Sequence, residues 1–164
     1  KIMQSKIKKM WANKLGLDEF DPKLFNELFN LLCETKVDYT IFFRELSHIP
    51  DDINLIIKSF YNPSFENESI KLRWLNWFEK WKLKVKATSS QMKQINPKYI
   101  LREWHLVAAY QEAQKGDYKL IEELQKIMTN PYDEQSSKIE EKYYDKKPSE
   151  FFGMAGISHV SCSS

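Results

Sequence analysis

Apolar residues recur every three or four positions along most of the chain, a spacing that predicts a series of amphipathic helices. Over residues 2 to 15, Ile2, Ile7, Met10, Trp11 and Leu15 keep these steps, and Gly16 follows as a stop. Asp21-Pro22 places an N-cap ahead of a proline at the first helical position, and Leu24, Phe25, Leu28, Leu31 and Leu32 then predict a second helix to about residue 35. Asp38 caps a third, through Ile41, Phe42, Leu46 and Ile49, closed by Pro50. Asp51-Asp52 opens a short apolar helix with Ile53, Ile56, Ile57 and Phe60, and residues 61 to 64 read as a loop. From residue 65 to 86, Ile70, Trp74, Trp77, Phe78 and Trp81 form one stripe of a long helix. Residues 87 to 91 are small and polar, a connector. Asn96-Pro97 then repeats the cap-plus-proline start for a helix carrying Ile100, Leu101, Trp104, Val107, Ala108 and Ala109 as far as Gly116. Asp117 caps the last clear helix, with Leu120, Ile121, Leu124 and Ile127 inward, ending before Asn130-Pro131.

The pattern therefore predicts an all-α fold: a helical domain of about six helices over residues 1–130 and an extended tail over 131–164. Tyr132, Tyr143, Tyr144, Phe151 and Phe152 predict that the tail docks, because burying a Phe-sized side chain gains roughly 1.5–3 kcal/mol.

Composition sharpens this. A chain of 164 residues, 42% hydrophobic and 14% aromatic, is long and apolar enough to bury a core, and 25 basic against 23 acidic residues leave a net charge of only +2. Four glycines cannot furnish a glycine-rich phosphate loop, a collagenous repeat or a turn-dense β sandwich. No run approaches the roughly 18 apolar residues of a membrane span, so no membrane partner is expected. Cys33 and Cys162 stand far apart and match neither a metal motif nor a disulfide framework, which points to a reducing compartment. The first residue is Lys rather than Met, and the expectation is a piece of a longer protein.

Lysines 80, 82, 84 and 86 around the tryptophan stripe raise the possibility of a nucleic-acid platform, with aromatic faces for bases and ammonium groups for phosphates. The i, i+3, i+4, i+7 spacing favours core packing instead, and a pI of 8.4 is too mild to argue otherwise. The first helix is basic, with no acid before Asp18, and its charge is expected to complement acidic residues later in the chain. His48, His105 and His159 are too scattered to form a ligand set. Glu122-Glu123 and Glu140-Glu141 are adjacent, point to different helix faces, and read as solvated surface. Neither a nucleophile elbow nor a short-range Cys, His and Asp arrangement occurs. The residues thus predict no catalytic, cofactor-binding or metal-binding set. Cys33, among Leu31, Leu32 and Thr35, reads as a small buried hydrophobe, whereas Cys162, in a small polar setting three residues after His159, is a candidate redox thiol.

Several segments, in order and spacing, resemble the selenoprotein O family: Asn13-Lys14-Leu15-Gly16-Leu17, Asp38-Tyr39-Thr40-Ile41-Phe42-Phe43-Arg44, Asn96-Pro97-Lys98-Tyr99-Ile100-Leu101-Arg102, Lys115-Gly116-Asp117, Asn130-Pro131-Tyr132-Asp133-Glu134 and Ser161-Cys162-Ser163-Ser164. The resemblance covers essentially the whole chain but only the family's C-terminal third. It implies that the full-length protein is a kinase-like pseudokinase transferring AMP from ATP to Ser, Thr or Tyr hydroxyls of other proteins, with the nucleotide bound in a flipped orientation. ATP and Mg (or Mn) are then cofactors of the full-length protein, held upstream, with none bound by this segment. The implied partners are the upstream kinase-like lobe and the protein substrates, and nucleic acid is not expected. The implied compartment is the cytoplasm in a bacterium and the mitochondrion in a eukaryote. Cys162 takes the position of the family's third-from-last selenocysteine or cysteine, which implies redox control with an upstream cysteine; a local pair is ruled out because His159 stands where selenocysteine-bearing members commonly have Cys. Glu103-Trp104 departs from the family's usual Asn and aromatic. The rival reading is a self-standing helical binding module for a protein or nucleic-acid partner.

Overall fold

A computed structural model describes residues 2–153, and all regular elements among them are helical. The α-helices are α1 Ile2–Leu15, α2 Pro22–Glu34, α3 Tyr39–Leu46, α4 Glu68–Lys82, α5 Ser89–Ile95, α6 Glu103–Gln114, α7 Lys119–Thr129 and α8 Ser137–Tyr143, with 3-10 turns at Ile53–Ser59 and Ser149–Phe151. The chain divides into two compact units, Lys1–Asn96 and Pro97–Ser164.

Local chemistry explains where most helices start. The Asp21 carboxylate accepts from the Lys23 and Leu24 amides at 3.0 Å, and Pro22 gives up no useful donor at the first helical position. Asp38 accepts from the Ile41 amide at 3.0 Å, and Asn67 from that of Ile70 at 2.9 Å.

In the first unit α4 lies antiparallel to α2, as the ion pairs Glu34–Arg73, Glu27–Lys80 and Asp21–Lys84 show by running in opposite directions along the two helices. Between them, Trp74, Trp77, Phe78 and Trp81 are buried with Leu24, Leu28 and Leu31 of α2 and Phe42, Phe43 and Leu46 of α3. A buried indole N–H without an acceptor is costly, and each of the three has one. Trp74 donates to Thr35 Oγ1 at 3.0 Å, Trp77 to the Leu24 carbonyl at 3.0 Å and Trp81 to the Leu15 carbonyl at 2.9 Å. The tryptophan stripe is therefore core, as its spacing predicts.

Several expectations are corrected. Residues 87 to 91 are not a plain connector: Thr88 and Gln91 form a reciprocal capping box that starts α5. Asn96 ends α5 rather than starting the next helix, and α6 begins only at Glu103. The reason is tertiary: the Lys98 and Tyr99 amides both donate to the Pro131 carbonyl, at 2.9 and 3.0 Å, which holds residues 97–101 out of the helix. Residues 53–59 form a 3-10 rather than an α-helix, and α4 starts at Glu68 because Phe65 takes a left-handed φ of 59°. Beyond residue 130, where an extended tail is expected, lies α8, capped by Ser136. Tyr143 and Tyr144 are buried there, whereas Tyr132 and Phe152 are exposed. In the second unit α6 packs on α7, and Trp104, Ala109, Leu124, Ile127 and Tyr99 join the two tyrosines in the interior. In α1 the apolar face is only partly covered, since Ile2, Ile7 and Met10 are exposed. Among the described residues no helix is long and apolar enough to cross a membrane.

Gly16 makes the close approach on which the α1 end depends. Its φ is +68°, its carbonyl accepts from the Lys86 and Ala87 amides at 2.8 and 3.0 Å, and a Cβ there would lie 2.7 Å from Met92 Sδ. Gly116 has an equally left-handed φ of +86° but open space around it. Urea unfolding is therefore expected to show Gly116→Ala losing about 1–2 kcal/mol from backbone strain alone, and Gly16→Ala losing a further 1 kcal/mol or so from overpacking.

Candidate functional site

Among the polar and charged groups that the fold buries are Arg44, Ser47 and Asn96 in the first unit and Lys98 and Arg102 in the second. In the first unit Asn96 is fully buried at the end of α5. Its side-chain amide donates to the Lys14 carbonyl at 3.0 Å and to Ser47 Oγ at 2.9 Å, and its carbonyl oxygen accepts from Lys14 Nζ at 3.0 Å. Arg44, 1% exposed on α3, donates from Nη1 to the Lys93 and Asn96 carbonyls at 3.1 Å. The Lys14 ammonium sits 4.8 Å from the Phe43 ring centre, and burial pulls its pKa below the ordinary lysine value. Burial likewise pushes the neighbouring Tyr39 phenol up to about 12, so no phenolate forms near neutrality.

In the second unit Lys98 is 5% exposed. Nζ donates to Glu134 Oε2 at 2.5 Å and Glu140 Oε2 at 2.8 Å, and the Tyr144 ring centre lies 5.1 Å away. Burial pulls the Lys98 pKa down, but the hydrogen bonds to Glu134 and Glu140 outweigh it, and the net shift is upward. Lys98 is thus a permanently charged clasp rather than a base or nucleophile. It ties the start of the unit to the loop before α8 and to α8 itself.

A third cluster lies between α6, α7 and α8. Glu123 accepts from both Lys142 Nζ and the Tyr143 hydroxyl, and its carboxyl stands below the usual range because of those two bonds. The His105 ring meets Tyr143 edge-on at 4.9 Å and Trp104 at 5.4 Å, and its Nδ1 is buried without a hydrogen-bond partner. Burial, reinforced by the Arg102 and Lys142 charges, pushes its pKa down to about 4, so it is neutral at physiological pH.

These groups are arranged to hold chain segments together. The Glu140 carboxylate, expected on solvated surface, is spent on Lys98, and Glu123 on Lys142 and Tyr143. Among the described residues no group of three or more His, Cys, Asp or Glu side chains is placed to hold a metal ion. An open groove of about 650 Å³ beside α7 brings Glu122 and Glu123 near Asp133 and Glu134, with Lys119 and Lys126 on its wall. The indoles of the α4 stripe face inward and offer no stacking surface. Cys33 is exposed on α2, not buried as expected, because it falls on the outward side of a helix whose inner face is Leu24, Leu28 and Leu31. Cys162 and His159 lie outside the described residues. Sequence reasoning assigns no role to Arg44, Lys98 and Glu134 and takes Asn96 for a helix start; the available signal is a charged side chain inside an apolar or aromatic run, as Arg44 in Ile41-Phe42-Phe43-Arg44-Glu45-Leu46.

Comparison with known proteins places this arrangement. The family model described as protein adenylyltransferase SelO matches residues 1–129. The protein nucleotidyltransferase YdiU of Flavobacterium johnsoniae is 35% identical over 173 residues, covering 96% of this chain and 33% of that relative. That of Tolumonas auensis is 32% identical over 167 residues, covering 94% and 32%, and that of Vibrio vulnificus strain YJ016 is 35% identical over 169 residues, covering 94% and 32%. The chain spans about a third of the length of these curated relatives.

Two outcomes are expected. Lys98→Met leaves two carboxylates facing each other without their shared cation and lowers stability by about 1–3 kcal/mol in urea unfolding. Glu134→Gln and Glu140→Gln each cost less than that, because the other carboxylate remains. For His105, the folded pKa of about 4 lies below the ordinary 6.5, so between these values the unfolded chain takes up the proton first and stability falls as pH drops. His105→Phe flattens the stability profile between pH 6.5 and 4 relative to the parent, and urea midpoints at pH 7, 5.5 and 4.5 measure it.

Proposed function

Because the chain belongs to the protein adenylyltransferase SelO family, we propose that it is the helical C-terminal part of a protein AMP transferase. In the reaction a Ser, Thr or Tyr hydroxyl oxygen of a substrate protein attacks the α-phosphorus of ATP. A new oxygen–phosphorus bond forms, the bond to the β-phosphate breaks, pyrophosphate leaves and the hydroxyl proton is released. The observation that carries this reading is the family match over residues 1–129 together with coverage of only a third of each relative.

The nucleotide and its Mg or Mn ion belong, on this reading, to the part of the relatives that this chain does not cover. The donor set here does not suit them. Asp21, Glu27 and Glu34 are engaged by Lys84, Lys80 and Arg73, and Glu134 and Glu140 by Lys98. A kinase-like phosphate cover needs clustered backbone amides from several glycines, and the four glycines of this chain are isolated at positions 16, 116, 153 and 156. The segment instead supplies a rigid support, its buried polar groups fixing the α1, α3 and α5 ends in one unit and the α8 segment in the other. Cys162 serves as a redox-responsive thiol. Two thiols, Cys162 and one in the remainder of the polypeptide, give two electrons and two protons to an oxidant such as peroxide and join as a disulfide. The cytoplasm fits a bacterial bearer of this chain.

Two measurements test the reading. With labelled ATP, the full-length polypeptide transfers AMP to protein, whereas this chain alone neither transfers AMP nor binds ATP at micromolar concentration; binding by the isolated chain overturns the placement of the site. Cys162→Ser is expected to change how the full-length activity responds to oxidation while leaving the helical circular dichroism unchanged, and an identical response in both forms removes the redox role.

A further inference from the structure

Residues 2–10, the first two and a half turns of α1, are exposed throughout, and only from Trp11 does the helix enter the first unit. Met3, Ile7 and Met10 fall at i, i+4 and i+7, one continuous apolar stripe with exposures of 75, 47 and 44%, and Ile2 beside it is 76% exposed. By helical geometry Lys6 borders the stripe, and Lys9 and Lys8 flank it more widely, each about 100° from its nearer edge. None of these three lysines has a hydrogen bond or ion pair among the described residues. The basic residues of α4 present a contrast: Lys71, Arg73, Lys80 and Lys82 all have carboxylate partners. The first acidic residue of the chain is Asp18, so nothing in α1 offsets its charge.

A short helix presenting bare apolar residues does not persist in water on its own propensity; tertiary cover stabilises it. The cover must bring apolar surface for Met3, Ile7 and Met10 and negative charge for the lysines. A second copy of α1 is a poor candidate, because it would set Lys6, Lys8 and Lys9 against their own kind with no acid to separate them. We infer that the Met3, Ile7 and Met10 stripe, with its lysine borders, is the docking surface for the nucleotide-binding remainder of the same polypeptide, which presents to it an apolar strip edged with carboxylates. The inference rests on the functional reading above. It adds that α1 is the joint through which the support meets the catalytic part, held by the high effective concentration of a covalently linked partner.

The full-length polypeptide is treated with a carbodiimide, which joins a lysine amine to a carboxylate in contact with it and takes up the lost water as a urea. The expected product links Lys6, Lys8 or Lys9 to an Asp or Glu of the remainder, within one copy when labelled and unlabelled protein are mixed. In the same protein, Ile7→Asp speeds amide exchange over residues 4–10 by about tenfold or more, while residues 74–81, in the core, exchange as before. Links that join different copies overturn the inference in favour of self-association. Fast exchange over residues 4–10 in the parent, slowed only by anionic lipid vesicles, overturns it in favour of a membrane surface. Fast exchange under all conditions without links shows the stripe to be uncovered. AMP transfer with none of the expected links sinks the docking surface alone, whereas the links without AMP transfer sink the proposed activity and leave the surface standing.

Discussion

Three indole N–H groups set the architecture of the first unit. A tryptophan buried to this degree stabilises the fold only if its one donor is satisfied, so each indole ties α4 to a fixed point elsewhere in the chain: the end of α1, the start of α2 and the residue that ends α2. Two of these acceptors are backbone carbonyls, which cannot move without moving a helix end. A one-residue slip of α4 along α2 would break all three bonds and misalign the outer ion pairs Glu34–Arg73, Glu27–Lys80 and Asp21–Lys84. The ion pairs are exposed and weak individually, but they lie in the same register as the indole bonds and so discriminate against the same alternatives.

The second constraint is the treatment of buried charge. Burying an ammonium or guanidinium is costly unless its protons find acceptors. Arg44 meets two backbone carbonyls, Lys14 meets Asn96 and Lys98 meets two carboxylates. The acceptors come from residues distant in sequence, so each cation acts as a cross-link between remote segments. The same constraint explains why Lys98 and His105, residue types often used in chemistry, are held here in the charged and the neutral state respectively.

Sequence legibility follows the range of the interactions. Asp21, Asp38 and Asn67 bond to amides two or three residues away, a range within which local sequence can mark a cap. The Trp74, Trp77, Phe78 and Trp81 stripe was readable because core packing on a helix imposes its own period. Asn96-Pro97 imitates a helix start, but the Asn96 side chain is occupied by Lys14 and Ser47, 82 and 49 residues away, and the following amides by Pro131. The Lys98 clasp was invisible for the same reason, its partners lying 36 and 42 residues on. α5 escapes the periodic pattern because it carries one buried apolar residue, Met92; its Thr88 and Gln91 box is the available clue. Periodicity also identifies the apolar face of α1 without revealing that residues 2–10 are exposed. The family resemblance, resting on motifs spread over the whole length, was legible where the individual polar roles were not.

The Leu15 and Gly16 carbonyls accept from Trp81, Lys86 and Ala87, residues some seventy positions downstream. Anyone dissecting this region into smaller expressible pieces should note what that implies for the cut. A boundary drawn after residue 16 would remove the acceptors on which the far end of α4 closes, so the basic leading helix is an integral stave of the bundle and not a detachable linker.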